Sequence, residues 1–153
     1  MTDEEVRVAA LIKNAFRDVT LGNGVGLLQG QGIDDYADKR TLAEFRSRDE
    51  KEDWSQIPVE ALTRCHSSLS FFDAEGMRFH LPAFLIADLE GTLGQEVTGH
   101  LTYLAHGLES RFNLLSSAQR AAVRELLLLR HAETIFEFER RDIEKALEAY
   151  WLP

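Results

Sequence analysis

The segment from Ser67 to Leu89 constrains the fold most, because its apolar residues follow two different spacings. Apolar and polar side chains alternate through its first part, and such alternation is typical of a half-buried strand. The alternating apolar residues are Leu69 and Phe71 before the sequence Asp-Ala-Glu-Gly, and Met77, Phe79 and Leu81 after it. The four intervening residues end in glycine, which suits a tight turn. The segment therefore predicts a β-hairpin.

A helix is predicted directly after this hairpin. Pro82 suits a first helical turn, where the missing N–H would have no partner in any case. Phe84, Leu85 and Leu89 then share one apolar face, and Gly91 ends the pattern.

Helical patterns dominate the rest of the chain. Capping boxes are predicted at Thr2 with Glu5, at Ser116 with Gln119 and at Thr134 with Glu137. The first precedes a helix that ends near residue 18, and Pro58 predicts the start of a further short helix. We therefore predict an α+β fold: a mostly helical single domain over residues 1–153, with a small antiparallel sheet built on the central β-hairpin.

Two segments leave alternatives open. Residues 100–106 predict either a helical turn or a third strand, and we favour the strand because an isolated hairpin is only marginally stable. A single helix over 117–149 would span about 50 Å, longer than the roughly 40 Å expected of a compact domain. We therefore predict two helices, or one helix kinked near residues 131–134. An unbroken helix would present Phe138, Tyr150 and Trp151 as a dimer surface.

Residues 21–32 are rich in glycine, which indicates loops or tight turns. The spacing of Gly22, Gly24 and Gly26 invites interpretation as a phosphate cradle. Such a cradle needs a strand before it and a helix directly after it. A helix is predicted before this segment, and no Gly-Lys-Ser/Thr follows. We therefore favour an ordered surface loop.

The composition excludes several classes of protein. No apolar run approaches the roughly 20 residues of a membrane-spanning helix, and the N-terminus does not resemble a secretory signal. The single cysteine, Cys65, fits a reducing compartment, so we expect a cytoplasmic protein with no membrane association. The net charge of −9, with no Lys/Arg run longer than two, argues against nucleic-acid binding. A basic protein partner would suit this charge, although solubility also explains it.

Histidines and carboxylates are the candidates for chemistry. The five histidines are His66, His80, His100, His106 and His131, and none has the spacing of a metal-binding helix, so we expect no metal site. Acid–base candidates are Asp73 and Glu75 in the predicted turn, and Asp49, Glu50 and Asp53 in an acidic segment. Asp73 also suits a structural role, capping N–H groups of the turn. Trp54 is expected to anchor the acidic segment to the body of the fold. No motif indicates a nucleophile or a bound cofactor.

Three motifs occur together in the chain. They are Leu-Gly-Asn-Gly-Val-Gly-Leu at 21–27, Asp-Glu-Lys-Glu-Asp-Trp at 49–54 and Arg-Phe-His-Leu-Pro-Ala at 78–83. In this combination the chain resembles an uncharacterised bacterial family, a domain of unknown function. The resemblance brings no activity, but it implies that the three motifs meet in one place. The candidate binding residues are then Asp49, Glu50, Asp53, Trp54, Asp73, Arg78 and His80.

Two functions remain open from the sequence. The favoured hypothesis is a non-enzymatic protein-binding module, such as an inhibitor or an immunity-like protein, whose acidic front half meets a basic partner. The alternative is a small hydrolase or metal-dependent enzyme that uses the acidic segment with His80 or His66. A monomer and a homodimer through the C-terminal helices are both compatible with the pattern.

Overall fold

The computed structural model describes residues 1–105 and 107–152, and over these residues it contains helices but no β-strand. The α-helices are α1 (Asp3–Ala15), α2 (Leu27–Asp34), α3 (Lys39–Arg48), α4 (Val59–Arg64), α5 (Ala74–Glu90), α6 (Thr98–Thr102), α7 (Glu109–Phe112), α8 (Ser117–Glu133) and α9 (Glu137–Ala146). Short 3-10 turns lie at Trp54–Gln56 and His66–Ser70, and a π-helical turn lies at Leu147–Trp151. The predicted α+β class is therefore wrong, and the described chain is all-α.

The predicted hairpin is replaced by a 3-10 turn and the first half of α5. Asp73 caps this helix rather than a strand turn, and its Oδ1 accepts a hydrogen bond from the N–H of Gly76 at 2.8 Å. The helix therefore begins eight residues before Pro82, which lies in its interior. The predicted end is confirmed, because Gly91 adopts a left-handed conformation with φ of 72° as the C-cap.

The alternating pattern wrongly predicted strands because α5 is buried on nearly every side. A helix that is buried all round carries no polar stripe, so its sequence lacks the period of 3.6 residues. Phe79 and Leu81 are fully buried, and so is His80 between them, although its side chain is polar.

Helix α5 lies at the centre of the fold and packs against α1, α4 and α7, while α1 also packs along α8. The first two predicted capping boxes are confirmed at the starts of α1 and α8. These reciprocal hydrogen bonds satisfy N–H groups that a helix start leaves unpaired.

The C-terminal helical region breaks at 134–136, which confirms the predicted division into two helices. The predicted third capping box does not form, because Phe136 is the N-cap residue of α9 and Thr134 ends α8. Trp151 is fully buried, and its Nε1–H donates to the carbonyl of Leu101 at 2.8 Å. Trp151 therefore lies in the core and cannot belong to the dimer surface that an unbroken helix would have formed.

The predicted third strand over 100–106 is also wrong in its described part, because residues up to Thr102 belong to helix α6. His106 lies outside the described residues. Among the described helices, none is long and apolar enough to cross a membrane.

Candidate functional site

The N-terminus of α2 is capped by a carboxylate from the end of α3. Asp49 is only 8% exposed, and its Oδ1 accepts a hydrogen bond from the N–H of Leu28 at 2.7 Å. Its Oδ2 accepts from the N–H of Gln29 at 3.2 Å. Burial raises the pKa of Asp49, while the two backbone hydrogen bonds act in the opposite direction. A Cβ at Gly26 would overlap this carboxylate, which explains glycine at the helix cap.

Two further carboxylates hold the glycine-rich loop in front of α2. Asp73 accepts a hydrogen bond from the N–H of Val25 at 3.0 Å, in addition to capping α5. Glu75 accepts from the N–H of Asn23 at 3.2 Å. The carboxylates at the predicted turn therefore bind the chain's own backbone.

The phosphate-cradle interpretation of this loop is not supported by its surroundings. The backbone N–H groups that would bind an anion already face carboxylates, which would repel a phosphate. Arg46 donates to the carbonyl oxygens of Gly22 and Gly24, at 2.7 and 3.2 Å. The segment is an ordered loop as far as Gly26, and its later residues form α2.

The acidic segment is also organised around its own backbone. Glu50 accepts hydrogen bonds from two backbone N–H groups of the following turn, at 3.1 and 3.2 Å. Asp53 caps the 3-10 turn by accepting from the N–H of Ser55 at 3.0 Å. Trp54 is 8% exposed, and its Nε1–H donates to the carbonyl of Phe16 at 2.9 Å. This contact confirms the anchoring role predicted for Trp54.

The remaining two predicted site residues lie on α5. His80 is fully buried and stacks on Phe72, with 4.3 Å between ring centroids. Its Nδ1 lies 2.7 Å from the carbonyl oxygen of Gly76, to which the neutral ring donates. Burial lowers the pKa of His80 to about 4. Within the described chain, His80 Nε2 and the buried Nε of Arg78 have no hydrogen-bond partner.

The predicted site residues do not converge on one site. Asp49 and Glu50 line a cleft of about 590 Å³ beside α2 and α4. Asp53 and Trp54 line a second cleft of about 410 Å³. His80 lies in the core and reaches neither cleft.

The three sequence motifs nevertheless adjoin each other. Asp49 of the second motif binds the N–H of Leu28, directly after the first motif, and the N–H of Leu21 donates to the carbonyl of Lys51 at 2.9 Å. Trp54 of the second motif and Ala83 of the third line a common cleft of about 290 Å³. The three motifs therefore pack against each other, and their carboxylates accept hydrogen bonds from backbone N–H groups.

The other described histidines do not gather into one cluster, although His66 lies near enough to His100 to influence its pKa. His131 Nε2 lies 2.8 Å from Glu144 Oε1, and His66 Nδ1 lies 3.1 Å from the carbonyl oxygen of Thr63. Across residues 1–105 and 107–152, no group of three or more His, Cys, Asp or Glu side chains is placed to hold a metal ion.

A further cleft, of about 510 Å³, lies beside α6, and we refer to it as the α6 cleft. Its lining residues are Ser70, Glu96, Gly99, His100, Tyr103 and Arg111. They come from a 3-10 turn, a loop, α6 and α7. Sequence reasoning named only His100 among them, because side chains from separate segments carry no motif.

An exposed apolar surface lies at the turn between α8 and α9, and we refer to it as the apolar turn. Ile135, Phe136 and Phe138 are 85, 53 and 62% exposed. The rings of Phe136 and Phe138 lie 5.6 Å apart. Large apolar side chains that cluster on a surface often mark a site of interaction.

The fold and these surfaces define a small all-helical domain with an ordered glycine-rich loop. The chain belongs to a family of unknown function, DUF6714, whose family model matches residues 4–153. Membership agrees with the resemblance inferred from the motifs. No curated protein and no solved structure matches the chain significantly.

Proposed function

We propose that this protein is a non-enzymatic protein-binding module of the cytoplasm that docks onto a basic partner through the apolar turn. The observation that carries the proposal is the exposure of Ile135, Phe136 and Phe138 at one structured turn. Because exposed apolar side chains gain most when a partner removes them from water, they are suitable anchors for an interface.

The apolar turn is held in place by Arg140. Its guanidinium donates to the carbonyl oxygen of Thr134 at 2.6 Å and to that of His131 at 3.4 Å, both near the end of α8. It also pairs with Glu137 at 3.1 Å. A surface fixed before binding loses less conformational entropy when its partner arrives. This rigidity supports a role in recognition.

The charge of the whole chain favours a basic partner. The chain carries a net charge of −9, whereas near the apolar turn Glu133, Glu137 and Glu139 are accompanied by Arg130, Arg140 and Arg141. Glu133 and Glu137 pair with arginines of their own helices. Within the described residues Glu139 has no ion pair, so its carboxylate is available to a cation. Complementary charge accelerates association and improves specificity.

The size of the surface favours a pocket on another protein over a second copy of this chain. In a symmetric dimer the same three side chains would face each other and cover far less than the roughly 800 Å² per partner of a stable interface, whereas a pocket encloses them on several sides. Three adjacent apolar side chains instead form a compact knob, which suits a pocket with a basic rim.

The alternative enzyme is not favoured by any specific contact. It requires the acidic segment to meet His80 or His66. The acidic oxygens bind backbone N–H groups, and His80 is buried against Phe72. The clefts beside the acidic segment include neither histidine.

The proposal is tested by comparing three immobilised baits in affinity capture from native lysate. The baits are the wild type, the double variant Phe136→Ser/Phe138→Ser, and Tyr36→Asn as a control. Tyr36 is 95% exposed on α2's side of the fold, and asparagine tolerates its positive φ of 58°. Light scattering of the same samples measures self-association.

We expect a basic protein to bind the wild type and the Tyr36→Asn bait, and not the double variant. Capture should fall as salt rises, because salt screens the charge complementarity. Equal recovery by all three baits, or recovery by none, would refute the proposal. A wild-type dimer that the double variant converts to a monomer would assign the apolar turn to a second copy and overturn the basic partner.

A further inference from the structure

The α6 cleft differs from the clefts near the acidic segment in the hydrogen bonding of its polar side chains. The side chains of Ser70, Glu96, His100 and Arg111 make no hydrogen bond or ion pair to another described residue. His100 and Arg111 are half-buried, so their polar atoms are partly withdrawn from water. Asp49, by contrast, already binds two N–H groups. The α6 cleft therefore gathers polar groups that the fold itself does not use.

These four side chains offer a defined set of interactions. A guanidinium presents a planar fork of donors that matches the oxygens of a phosphate or carboxylate. Arg111 can therefore bind an oxyanion, and the hydroxyl of Ser70 is a further donor in the cleft. Glu96 accepts hydrogen bonds from a hydroxyl or amino group. His100 can donate to or accept from either group.

We propose that the α6 cleft binds a small organic oxyanion, a phosphate or carboxylate, that also carries a hydroxyl or amino group. Arg111 binds the oxyanion and Glu96 binds the hydroxyl or amino group. The cleft volume of about 510 Å³ falls within the range of small-molecule sites. None of the three apolar side chains of the apolar turn lines the cleft, so the two proposals are tested with different variants.

Charges of both signs surround the cleft, with positive charge at Arg111 and negative charge at Glu96. Burial lowers the pKa of His100, and the positive charge of Arg111 lowers it further. Partial burial of the carboxyl raises the pKa of Glu96, and Glu139 and Asp88 act in the same direction. A bound oxyanion beside Arg111 would offset the cationic charge that His100 experiences. The pKa of His100 should therefore rise when the ligand binds.

The arrangement supports binding rather than acyl transfer. Nucleophilic catalysis by serine requires a hydrogen bond from the hydroxyl to a histidine that is oriented by a third group. Among the described residues, no hydrogen bond joins Ser70 to His100, or His100 to Glu96. We therefore assign these side chains to ligand recognition.

The test is a ¹H–¹⁵N NMR titration of the full chain with three probes: glycerol 3-phosphate, L-lactate and L-serine. Inorganic phosphate and glycerol serve as probes that carry one group each. Arg111→Gln removes the oxyanion contact, and Glu96→Gln weakens the second contact. Arg141→Gln is the matched control, because Arg141 is exposed on α9 and does not line the cleft.

We expect at least one two-group probe to cause saturable shifts at Ser70, Gly99, His100 and Arg111, with a Kd below about 1 mM. Arg111→Gln should weaken binding at least about tenfold, since a charge-assisted contact is lost. Arg141→Gln should not change it, and the ¹H titration of the His100 ring should move to higher pH in the complex. The phosphate and carboxylate probes distinguish the two oxyanion sources.

Three results would overturn the proposal. The first is the absence of saturable shifts with every two-group probe. The second is binding that Arg111→Gln leaves unchanged. The third is binding of inorganic phosphate as tight as that of glycerol 3-phosphate. This result would show that the hydroxyl or amino group of the ligand contributes nothing to binding. The amide spectrum of each variant shows whether it folds. Glu96→Gln should also weaken binding, which tests the second contact independently of Arg111.

Discussion

The carboxylate of Asp49 lies 2.7 Å from the backbone nitrogen of Leu28, 21 residues earlier in the chain. This contact ties the end of α3 to the start of α2. Helix α2 has only eight residues and includes Gly30 and Gly32, which are poor helix formers. A short helix of this composition depends on contacts from outside itself. Asp49 therefore supplies stability that α2 lacks.

Replacing Asp49 with alanine should lower the free energy of unfolding by about 1–2 kcal/mol, the usual cost of losing a helix cap. Urea denaturation measures this change, and hydrogen exchange should accelerate at Leu28 and Gln29. Asp53→Ala is the control, because exposed Asp53 caps only a 3-10 turn and its loss should matter less. Equal losses in the two variants would contradict the role assigned to Asp49.

Gly24 lies against the start of α5, where a side chain has no room. A Cβ at Gly24 would lie 2.6 Å from the backbone nitrogen of Gly76, and backbone cannot move aside easily. We expect Gly24→Ala to destabilise the fold by at least about 2 kcal/mol in thermal unfolding.

Gly99 provides the matched control for Gly24→Ala. A Cβ at this exposed helical position would meet no atom within 4 Å. Gly99→Ala should leave stability unchanged or raise it by up to about 1 kcal/mol, because alanine favours helix. Similar unfolding temperatures for the two variants would show that the close approach at Gly24 is not required.

Helix ends were predictable from the sequence where the signals were local. The pairs Thr2 with Glu5 and Ser116 with Gln119 bond each other within one turn, so their spacing alone identifies the cap. Gly91 was equally readable, because a left-handed C-cap requires a residue that tolerates positive φ.

The central helix was not predictable because its environment is not local. Met77, Phe79 and Leu81 alternate with Arg78 and His80, and this pattern matches a half-buried strand. In the structure His80 is as buried as its neighbours. Tertiary packing around α5 therefore decided its secondary structure, and the sequence pattern contained no record of that packing.

The candidate sites also divide into features that local sequence signals predict and features that depend on folding. The sequence named Asp49 and Asp73 as acid–base candidates, yet a backbone N–H of α2 binds Asp49 and one of the glycine-rich loop binds Asp73. The residues of the α6 cleft, such as Glu96 and Arg111, come together only through folding. Their proximity depends on how α6 and α7 pack, which residue spacing does not encode.

Trp54 should contribute to stability through one specific hydrogen bond. Trp54→Phe keeps most of the ring but removes the donor to the carbonyl of Phe16. The carbonyl of Phe16 keeps the N–H of Val19 as a donor at 3.3 Å, so we expect only the loss of one hydrogen bond, about 1 kcal/mol, in urea denaturation. A variant as stable as the wild type would show that Trp54 anchors the segment by packing alone.

His80 should make stability depend on pH between about 4 and 6.5. In the unfolded chain this histidine takes up a proton near its ordinary pKa of 6.5, but burial lowers the folded value to about 4. The unfolded state therefore binds more protons in this range, and the free energy of unfolding falls as pH decreases from 6.5 to 4, by about 3 kcal/mol. His80→Phe retains a ring against Phe72 and cannot titrate. Urea denaturation of both proteins across this range should show a steeper loss in the wild type, because carboxylate titration is common to both. Parallel curves would contradict the predicted coupling of His80 protonation to unfolding.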